Sequence, residues 1–395
     1  MQFFGKMISS IALKGFIRYN CYMNNPLEEI KKMFGSIGSN KEKSVLGIDV
    51  GSSAIKIVQM REVGGKTILE TYGSISLGLY KEEDGSAGQV INLKRDKLVL
   101  ALEELIKEAN VTTKRVAMSI PAASTLVFTI VFPASVKESD LKTVVPIEAR
   151  RYIPIDISEV SLDWWVLPKQ SFVTPENNRE KEEPKERVVL VVAVRNDTVD
   201  TFKQVLLDAN LKNDFYEVEA FSLVRASVEH DLSSILVADI GASRTKLVFL
   251  EGGVIRDVHV INRGSEDITQ GLVSSFDISF EEAEDIKTRS GLNVSDELKR
   301  NNMQQSIDMI VSEMKNVVYQ YEQKNGSNIE KMVLSGGGSR MNGLLSYLIE
   351  KLPFDISFSD PFSQTESPEF LHEALAEAGP EFAVAVGLCL RDLKK

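Results

Sequence analysis

The chain is poor in the residues that build disulfide frameworks and transition-metal sites. It has 395 residues but only two cysteines, Cys21 and Cys389, which lie near opposite ends and form neither a disulfide framework nor a CxxC metal pair. This suits a reducing cytoplasm. The histidines His230, His259 and His372 are widely spaced, so a zinc site or a histidine-based triad has little to build from. Any enzymatic activity would therefore depend on carboxylates and phosphates.

Basic residues are in the minority, and bilayer-spanning apolar runs are missing from the N-terminal region. Lysine and arginine number 46 against 57 acidic residues, a net charge of -11, which argues against tight binding to nucleic acid. The first 27 residues have no acidic group, but their apolar runs are too short for a transmembrane segment. We assign no function to this segment and expect residues 1–43 to form a flexible extension. With 43% hydrophobic residues, the chain has enough core for two or more domains.

The most informative feature that is present is an internal repeat. Residues 46–58 (LGIDVGSSAIKIV) recur as residues 236–248 (LVADIGASRTKLV) at a constant offset of 190. Each copy predicts a β-hairpin whose tip is a turn of glycine and small polar residues with an exposed backbone. Two such hairpins predict two related domains. Six positions are identical, namely Leu46/Leu236, Asp49/Asp239, Gly51/Gly241, Ser53/Ser243, Lys56/Lys246 and Val58/Val248.

Between the hairpins, apolar spacing predicts the rest of a first lobe and an inserted subdomain. A strand over residues 65–77 and a helix precede a strand over residues 115–120. Residues 122–195 then interrupt the pattern with apolar strands and with a helix that opens on a Ser135-x-x-Glu138 capping box. The proline- and charge-rich residues 174–187 predict a solvated loop between two strands.

After the second hairpin, helices and a short strand are predicted to complete a second lobe. Ser279 and Glu282 form another capping box. A long helix follows over about residues 295–323, and residues 331–335 form a short buried strand that leads into a glycine turn. The last helix is predicted to span residues 379–393.

The hairpin tips carry the chemistry of a phosphate site. Their exposed backbone N–H groups lie beside small hydroxyls, which are Ser52 and Ser53 in the first copy and Ser243 and Thr245 in the second. This combination is typical of a phosphate cradle. A single tip of this kind would be a tight turn that merely needs glycine, but two matching copies favour the phosphate site.

Three further features would suit the rest of a nucleotide. Asp49 and Asp239 each precede a hairpin glycine by two residues, so a pair of carboxylates would face a cleft, as a hydrated Mg²⁺ bound to phosphates requires. The glycine turn at residues 336–338 would let a ring or sugar approach the backbone beside a helix N-terminus. Glu284 and Lys287 share one helix face and could bind ribose hydroxyls. Each feature also has a simpler explanation. The aspartates could be ordinary strand-end residues, the glycines could form an ordinary turn, and Glu284 and Lys287 could be a surface ion pair.

In this order, the elements resemble the actin-like ATPase superfamily over residues 44–393. The resemblance implies an α/β fold with two related lobes around a nucleotide cleft and an inserted α+β subdomain. It also implies ATP and Mg²⁺ as cofactors, with Asp49 and Asp239 at the metal. It assigns nucleotide contacts to Gly51, Ser52, Ser53, Lys56, Gly241, Ala242, Ser243, Thr245, Glu284, Lys287, Gly336, Gly337, Gly338 and Ser339. Glu219 would lie where relatives orient the attacking water, with Glu217 as a close competitor, so we expect slow turnover and leave hydrolysis itself open.

The insert narrows the resemblance to the PilM family of type IV pilus assembly proteins, with FtsA of cell division as the nearest relative. Residues 148–154 (EARRYIP) and 159–163 (EVSLD) resemble the family signature EAxxYIPF followed by EVxLD, and residues 360–362 (DPF) resemble another family motif. Two residues depart from the pattern, because Ile155 replaces an aromatic residue and Asp360 replaces asparagine. The chain ends directly after its last helix, without the membrane helix of FtsA, which favours the PilM family.

This resemblance implies a cytoplasmic protein, peripheral at the inner membrane, whose insert binds the N-terminal cytoplasmic tail of a PilN-like membrane protein. Pilus assembly or retraction ATPases and self-association are further interactions left open. An extended peptide could dock on a sheet edge or in an apolar groove. The candidate wall of that site is Phe128, Ile130, Phe132, Tyr152 and Ile153, which could equally be the insert's own core.

The resemblance also implies domain boundaries, and it leaves rival functions open. We expect a first lobe over residues 44–121, the partner-binding insert and a return to the first lobe over 122–215, a second lobe over 216–378 and a C-terminal helix over 379–395 that packs back on the first lobe. The rivals are an FtsA-like membrane adaptor, a sugar kinase of the same superfamily, and a scaffold that binds nucleotide only structurally or has lost nucleotide binding. No motif for a kinase's catalytic aspartate and sugar pocket is found in the sequence.

Overall fold

The computed structural model describes residues 44–81, 85–167, 186–229 and 231–394. The extension predicted for residues 1–43 and most of the loop predicted over residues 174–187 lie outside these ranges, although the last two residues of that loop instead begin a strand. The strands are β1 (Ser44–Val50), β2 (Ala54–Val63), β3 (Lys66–Ser76), β4 (Arg115–Ile120), β5 (Thr125–Pro133), β6 (Val160–Val166), β7 (Glu186–Arg195), β8 (Lys212–Val218), β9 (Ile235–Ile240), β10 (Thr245–Glu251), β11 (Val254–Ile261), β12 (Lys331–Ser335) and β13 (Asp355–Phe358).

Helices cover both sheets of the repeat and the insert. They are α1 (Arg95–Glu108), α2 (Leu141–Ala149), α3 (Asn196–Asp208), α4 (Glu219–Ser227), α5 (Ser265–Phe276), α6 (Phe280–Asp285), α7 (Glu297–Asn325), α8 (Leu344–Lys351) and α9 (His372–Leu393). None of the helices in the described part of the chain has the length and apolar character needed to cross a membrane.

The internal repeat extends to two whole sheets of the same topology. The first sheet has the order β3-β2-β1-β4-β8 and the second β11-β10-β9-β12-β13. In each, three antiparallel strands are continued by two parallel ones. The two hairpins also share their register, because Asp49 pairs with Lys56 and Asp239 pairs with Lys246. Equivalent side chains of the two lobes therefore occupy equivalent places beside the tips.

Burial explains why the repeated strands lie at the centre of each lobe. The apolar residues of β1 and β9 are buried, except for the half-buried Val50 beside the first tip, as expected for strands covered by helices on both faces. In the first lobe, α1 packs Leu98, Leu102 and Leu105 against the sheet, at the spacing that predicted this helix. In the second lobe the long helix α7 does the same with Ile307 and Met314.

The insert is a three-stranded antiparallel sheet, β5-β7-β6, that contacts both lobes. Helix α2 covers one face, where Val145 and Val191 are buried in a small separate core. The other face carries Val127, which belongs to a larger core that also contains Leu223 of α4 and Val237 of β9. A relative movement of the two lobes would therefore change the packing under the insert.

Helices α4 and α9 cross between the lobes at unusually close range. An ideal Cβ on Gly387 of α9 would lie 1.9 Å from the backbone oxygen of Ser222 in α4, which only glycine avoids. A Cβ on Gly47 of β1 would likewise lie 2.2 Å from the backbone oxygen of Ala385. Helix α9 therefore lies directly on the first lobe and on the helix that leads into the second.

One of the two predicted capping boxes is wrong and the other is confirmed. A 3-10 turn that begins at Glu138 precedes α2, which starts at Leu141, and neither the turn nor the helix has a side-chain cap. The tighter turn places Glu138 at the first position, where it cannot reach back as a third-position residue would. At α6, by contrast, Ser279 Oγ accepts a hydrogen bond from the N–H of Glu282 at 3.2 Å, and the reciprocal bond is 2.9 Å.

The predicted start of the last helix is also wrong. Helix α9 begins at His372 and continues through Gly379 and Pro380, the pair taken as its start. Proline normally interrupts a helix because it lacks a donor. Here tertiary contacts hold the turn in place, since the Pro380 oxygen accepts hydrogen bonds from Gly336 N at 2.8 Å and from Ser335 Oγ at 2.9 Å.

Candidate functional site

The tips of the two repeated hairpins, one from each lobe, meet in the structure. Each tip closes with the same backbone hydrogen bond, from Gly51 N to Ala54 O and from Gly241 N to Arg244 O, both 2.9 Å long. Equivalent turns thus end the two copies, as the repeat predicts. The hydroxyl of Ser243 on the second tip donates to the hydroxyl of Ser52 on the first, so the two tips are in direct contact.

The hydroxyl of Thr245 does not belong to this cluster. Its Oγ1 donates to the backbone oxygen of Arg263 at 2.9 Å, and the side chain has no exposed surface. The hydroxyl therefore holds the start of the strand that follows the tip, and its predicted contact with a phosphate stays a prediction. Lys56 does lie near the tip of the first hairpin, with its Nζ 3.9 Å from Glu381 of α9.

A buried cluster of charges lies beside the tip of the second hairpin. Lys246 Nζ is 2.6 Å from Asp239 Oδ2 and 2.9 Å from Glu219 Oε2. The other oxygen of Glu219 accepts a hydrogen bond from the N–H of Ala122 at 2.5 Å. Lys246 was identified in the repeat but was given no role by sequence analysis, and the only sequence signal for it is its match to Lys56.

The electrostatics of this cluster keep the lysine charged. Burial lowers the pKa of Lys246, but Asp239, Glu219 and Asp49 outweigh that effect and hold the pKa above its usual value. Burial also raises the pKa of Glu219, opposed by Lys246 and the Ala122 N–H and reinforced by the two neighbouring aspartates. Three carboxylates therefore share one ammonium group.

The two aspartates fit a magnesium ion only through water. Asp49 Oδ1 accepts a hydrogen bond from Ser119 Oγ at 2.8 Å, and Asp239 is bound to Lys246. Within the described residues no cluster of three or more potential metal-ligating side chains occurs. A site of this kind suits Mg²⁺ that keeps most of its waters and is held chiefly by phosphates, rather than an ion bound directly by the protein.

Glu217 and Glu219, the two candidates for orienting the attacking water, have different partners in the structure. Glu217 accepts from Arg225 at 2.7 and 2.8 Å and from Arg391 at 3.0 Å, and Ser222 also donates to it. This ion cluster joins α4 to α9. Of the two glutamates, Glu219 is the one that reaches the charge cluster beside the second hairpin tip.

The glycine turn after β12 lies against the second hairpin. Gly336 has a φ of +84°, and an ideal Cβ there would lie 2.2 Å from Asp239 Oδ1, so both the conformation and the space require glycine. A Cβ on Gly338 would lie 2.7 Å from Ile240 Cγ2. Ser339 is buried and donates to the Gly336 oxygen at 2.7 Å, which fixes the turn. Of the three glycines, Gly337 is exposed.

Glu284 and Lys287, the pair predicted to bind ribose, form an ion pair that is partly covered by other parts of the chain. Lys287 Nζ lies 2.7 Å from Glu284 Oε2 and also donates to Thr269 Oγ1 at 2.9 Å. Unlike a surface ion pair, this lysine is buried. The other carboxylate oxygen of Glu284 lies beside Gly88 of the first lobe, where an ideal Cβ would be only 2.7 Å away.

Residues 85–91, which we call the strap, cross from the first lobe to the second. Val90 N donates to Glu266 Oε1 of α5 at 3.0 Å, and Ile91 N donates to the Ser52 oxygen at 3.0 Å. Together with Gly88 over Glu284, these contacts close one side of the cleft. Sequence analysis assigned nothing to this segment, since its partner on α5 is 176 positions away.

Most of the wall predicted for a docked peptide is buried. Ile130, Phe132 and Ile153 are 3%, 7% and 7% exposed and pack under α2, which favours the alternative that they form the insert's own core. Phe128 and Tyr152 stack with ring centroids 4.9 Å apart, and Tyr152 is 49% exposed.

An aromatic contact that sequence analysis missed joins the insert to α4. Trp165 of β6 packs against Phe221 at a centroid distance of 5.2 Å, and Trp165 remains partly exposed. Phe221 follows Glu219 by two residues on the same helix. The contact therefore links the insert to the helix that carries the cleft glutamate.

Comparison with known proteins gives one family and one shared fold. The family model described as type IV pilus assembly protein PilM matches residues 47–393. A solved structure of a PilM-PilN type IV pilus biogenesis complex is 27% identical, covers 89% of this chain and 99% of that chain, and superimposes with a TM-score of 0.73. The ethanolamine utilization protein EutJ from Carboxydothermus hydrogenoformans is 14% identical over 93% of this chain and 99% of that chain, with a TM-score of 0.50. These likenesses confirm the predicted actin-like ATPase fold.

Proposed function

The chain belongs to the family of the type IV pilus assembly protein PilM, and from that premise we propose that it is a nucleotide-responsive adaptor of the pilus machine. In this proposal ATP binds between the lobes, the insert docks the cytoplasmic tail of a PilN-like inner-membrane protein, and nucleotide state influences assembly of the inner-membrane platform. The protein would act in the cytoplasm and be held at the membrane by its partner. The observation that carries the proposal is the meeting of the two hairpin tips, Ser52 against Ser243, in one cleft.

The cleft supplies groups for each part of the nucleotide. The exposed backbone and hydroxyls of the two tips would hold the phosphates, with Lys56 and Lys246 as nearby cations. The turn from Gly336 to Ser339 would lie against adenosine, and the Glu284–Lys287 pair would bind the ribose. A hydrated Mg²⁺ would neutralise phosphate charge, and Asp49 and Asp239 would meet it through water.

Turnover, if the protein hydrolyses ATP, should be slow. Of the two candidate glutamates, Glu219 is the one that contacts Lys246 beside the second tip, which supports it as the residue that orients a water. However, its two oxygens are bound to Lys246 and to the N–H of Ala122. A carboxylate with both oxygens engaged is poorly placed to hold an attacking water in line with a phosphate.

The junction between the insert and α4 is our proposed receiver for the partner. The related solved structure is that of a PilM-PilN complex, which supports a PilN-like partner here. At the junction, Trp165 remains partly exposed, and β6 is an edge strand of its sheet in the described part of the chain. An extended peptide could pair with such an edge and place a side chain against the indole ring.

Titration of the N-terminal peptide of a PilN-like protein, with and without Mg-ATP, tests the proposal. Micromolar or tighter binding that shifts with nucleotide is the expected result. Binding without a shift would mean a passive tether, and absence of binding would overturn the adaptor function. Trp165→Ala should weaken binding of the peptide. Tyr319→Ala, which removes an exposed aromatic residue on α7, should leave the binding affinity unchanged. A scrambled peptide controls for nonspecific association.

A further inference from the structure

The two hairpin lysines each contact a glutamate on one of the helices that connect the lobes. Lys56 of the first hairpin approaches Glu381 of α9, and Lys246 of the second hairpin binds Glu219 of α4. The two contacts differ in strength, since the first is 3.9 Å long and the second 2.9 Å, with a further 2.6 Å contact from Lys246 to Asp239. The second hairpin is thus tied to its connecting helix by a close, buried ion pair.

Glu219 extends this tie into the insert. Its second oxygen accepts from the N–H of Ala122, which directly follows β4 and Pro121 at the start of the insert. Two residues along α4, Phe221 packs on Trp165 of the insert. The first turn of α4 therefore contacts the phosphate hairpin on one side and the insert at two points on the other.

We propose that Lys246 senses the terminal phosphate of a bound nucleotide and that Glu219 transmits its position to the insert. The inference rests on the proposed nucleotide-binding function. A terminal phosphate between the tips would compete with Glu219 for the ammonium group, because charged partners attract strongly in a site that excludes water. ADP has no phosphate at this position and would leave the ion pair closed. Since a ligand shifts a conformation only through contacts that differ between states, this single contact would distinguish the two nucleotides.

The chain offers a built-in reporter for this movement. It has only two tryptophans, Trp164 and Trp165, so Trp164→Phe leaves Trp165 as the sole tryptophan. In that parent protein, Trp165 emission is recorded with ADP and with a non-hydrolysable ATP analogue, while calorimetry measures the affinity for each. We expect the ATP analogue to change the emission of Trp165 and ADP to leave it as in the free protein.

Variants of the ion pair then separate sensing from transmission. Lys246→Met in the same parent should reduce the preference for the ATP analogue over ADP by about tenfold or more, the usual worth of a hydrogen bond to a charged group. Glu219→Gln should suppress the Trp165 response by a larger factor than it reduces ATP affinity. Because Lys246→Met alone leaves buried carboxylates without their cation, the double variant Glu219→Gln/Lys246→Met provides a second protein in which both charges are removed together. Lys331→Met, which breaks a surface pair with Asp231, is the matched control.

The outcomes distinguish this inference from the function on which it rests. If Lys246→Met and the double variant keep the full preference for the ATP analogue, Lys246 does not sense the phosphate. If Trp165 responds equally to ADP and to the ATP analogue, the insert does not follow the terminal phosphate. If the parent binds neither nucleotide, the proposed nucleotide-binding function itself fails.

Discussion

The hydroxyl of Ser243 donates a hydrogen bond to the hydroxyl of Ser52, with the two oxygen atoms 3.0 Å apart. The two residues belong to different lobes, at the tips of hairpins that the sequence repeats. A phosphate group between the tips would have to replace this bond and would receive both hydroxyls as donors. The closed contact and the proposed phosphate site are thus alternative uses of the same two side chains.

Loss of these hydroxyls should weaken nucleotide binding without unfolding the protein. Ser52→Ala and Ser243→Ala each remove one donor, and we expect each to lower ATP affinity by about fivefold to tenfold. Calorimetric titration with Mg-ATP measures the change. Ser158→Ala, which removes a hydroxyl bonded to Asp156 in the insert, is the control. Unchanged affinity in both tip variants would show that phosphate does not bind there.

Opening the strap should speed both uptake and release of nucleotide. Gly88→Val places a side chain against Glu284 and forces a φ of +84° on a β-branched residue, while Glu266→Ala removes the acceptor of Val90 N. Because a gate must open for passage in either direction, association and dissociation rates should rise by a similar factor, about fivefold for one lost hydrogen bond. Stopped-flow measurements with a fluorescent ATP analogue give both rates.

A control variant separates this effect from backbone strain. Gly65→Val imposes similar strain, at a φ of +81°, but its side chain would meet nothing within 4 Å. It should leave both rates unchanged. If the strap variants raise only the dissociation rate, the strap is a contact for the bound nucleotide and not a gate.

Local patterns predict much of this fold because the hairpins and strands carry their own signals. The strand over residues 115–120 has the predicted bounds, and the long helix α7 lies within two residues of its prediction. Small polar residues between alternating strands specify a hairpin without help from the rest of the chain. The match of Asp49 and Lys56 to Asp239 and Lys246 likewise made the paired sheets predictable.

The errors arise where a distant part of the chain decides the outcome. Alternation along β5 shows that Ile130 and Phe132 share a face, but only the folded insert shows that α2 covers it. Lys246 forms an ion pair with Glu219, and the two residues meet only because α4 runs between the lobes. The strap has no periodic pattern, so its contacts with the second lobe have no sequence signal.

The crossing of α4 and α9 should tolerate no side chain at Gly387. Gly387→Ala would place a methyl group 1.9 Å from the Ser222 oxygen, so the helices must separate. We expect a loss of about 1–3 kcal/mol of unfolding free energy, typical of overpacking in a core. Urea unfolding followed by circular dichroism measures it, with Glu373→Ala on the exposed first turn of α9 as control. Equal stability of the two variants would contradict the close crossing.

Alkaline pH should destabilise the fold through Cys389. Burial raises the pKa of its thiol to about 12 from a usual value of 9.0, and the Sγ lies 3.2 Å from the Val58 oxygen. Because the thiol ionises first in the unfolded chain, its contribution is complete below a pH of about 9.0 and falls as the pH rises towards 12. Between about pH 8 and pH 10, Cys389→Ala should therefore lose less unfolding free energy than the unsubstituted protein in urea titrations. An equal loss in both proteins would assign the alkaline sensitivity to other groups, such as the buried hydroxyl of Tyr321, whose pKa is also raised by burial.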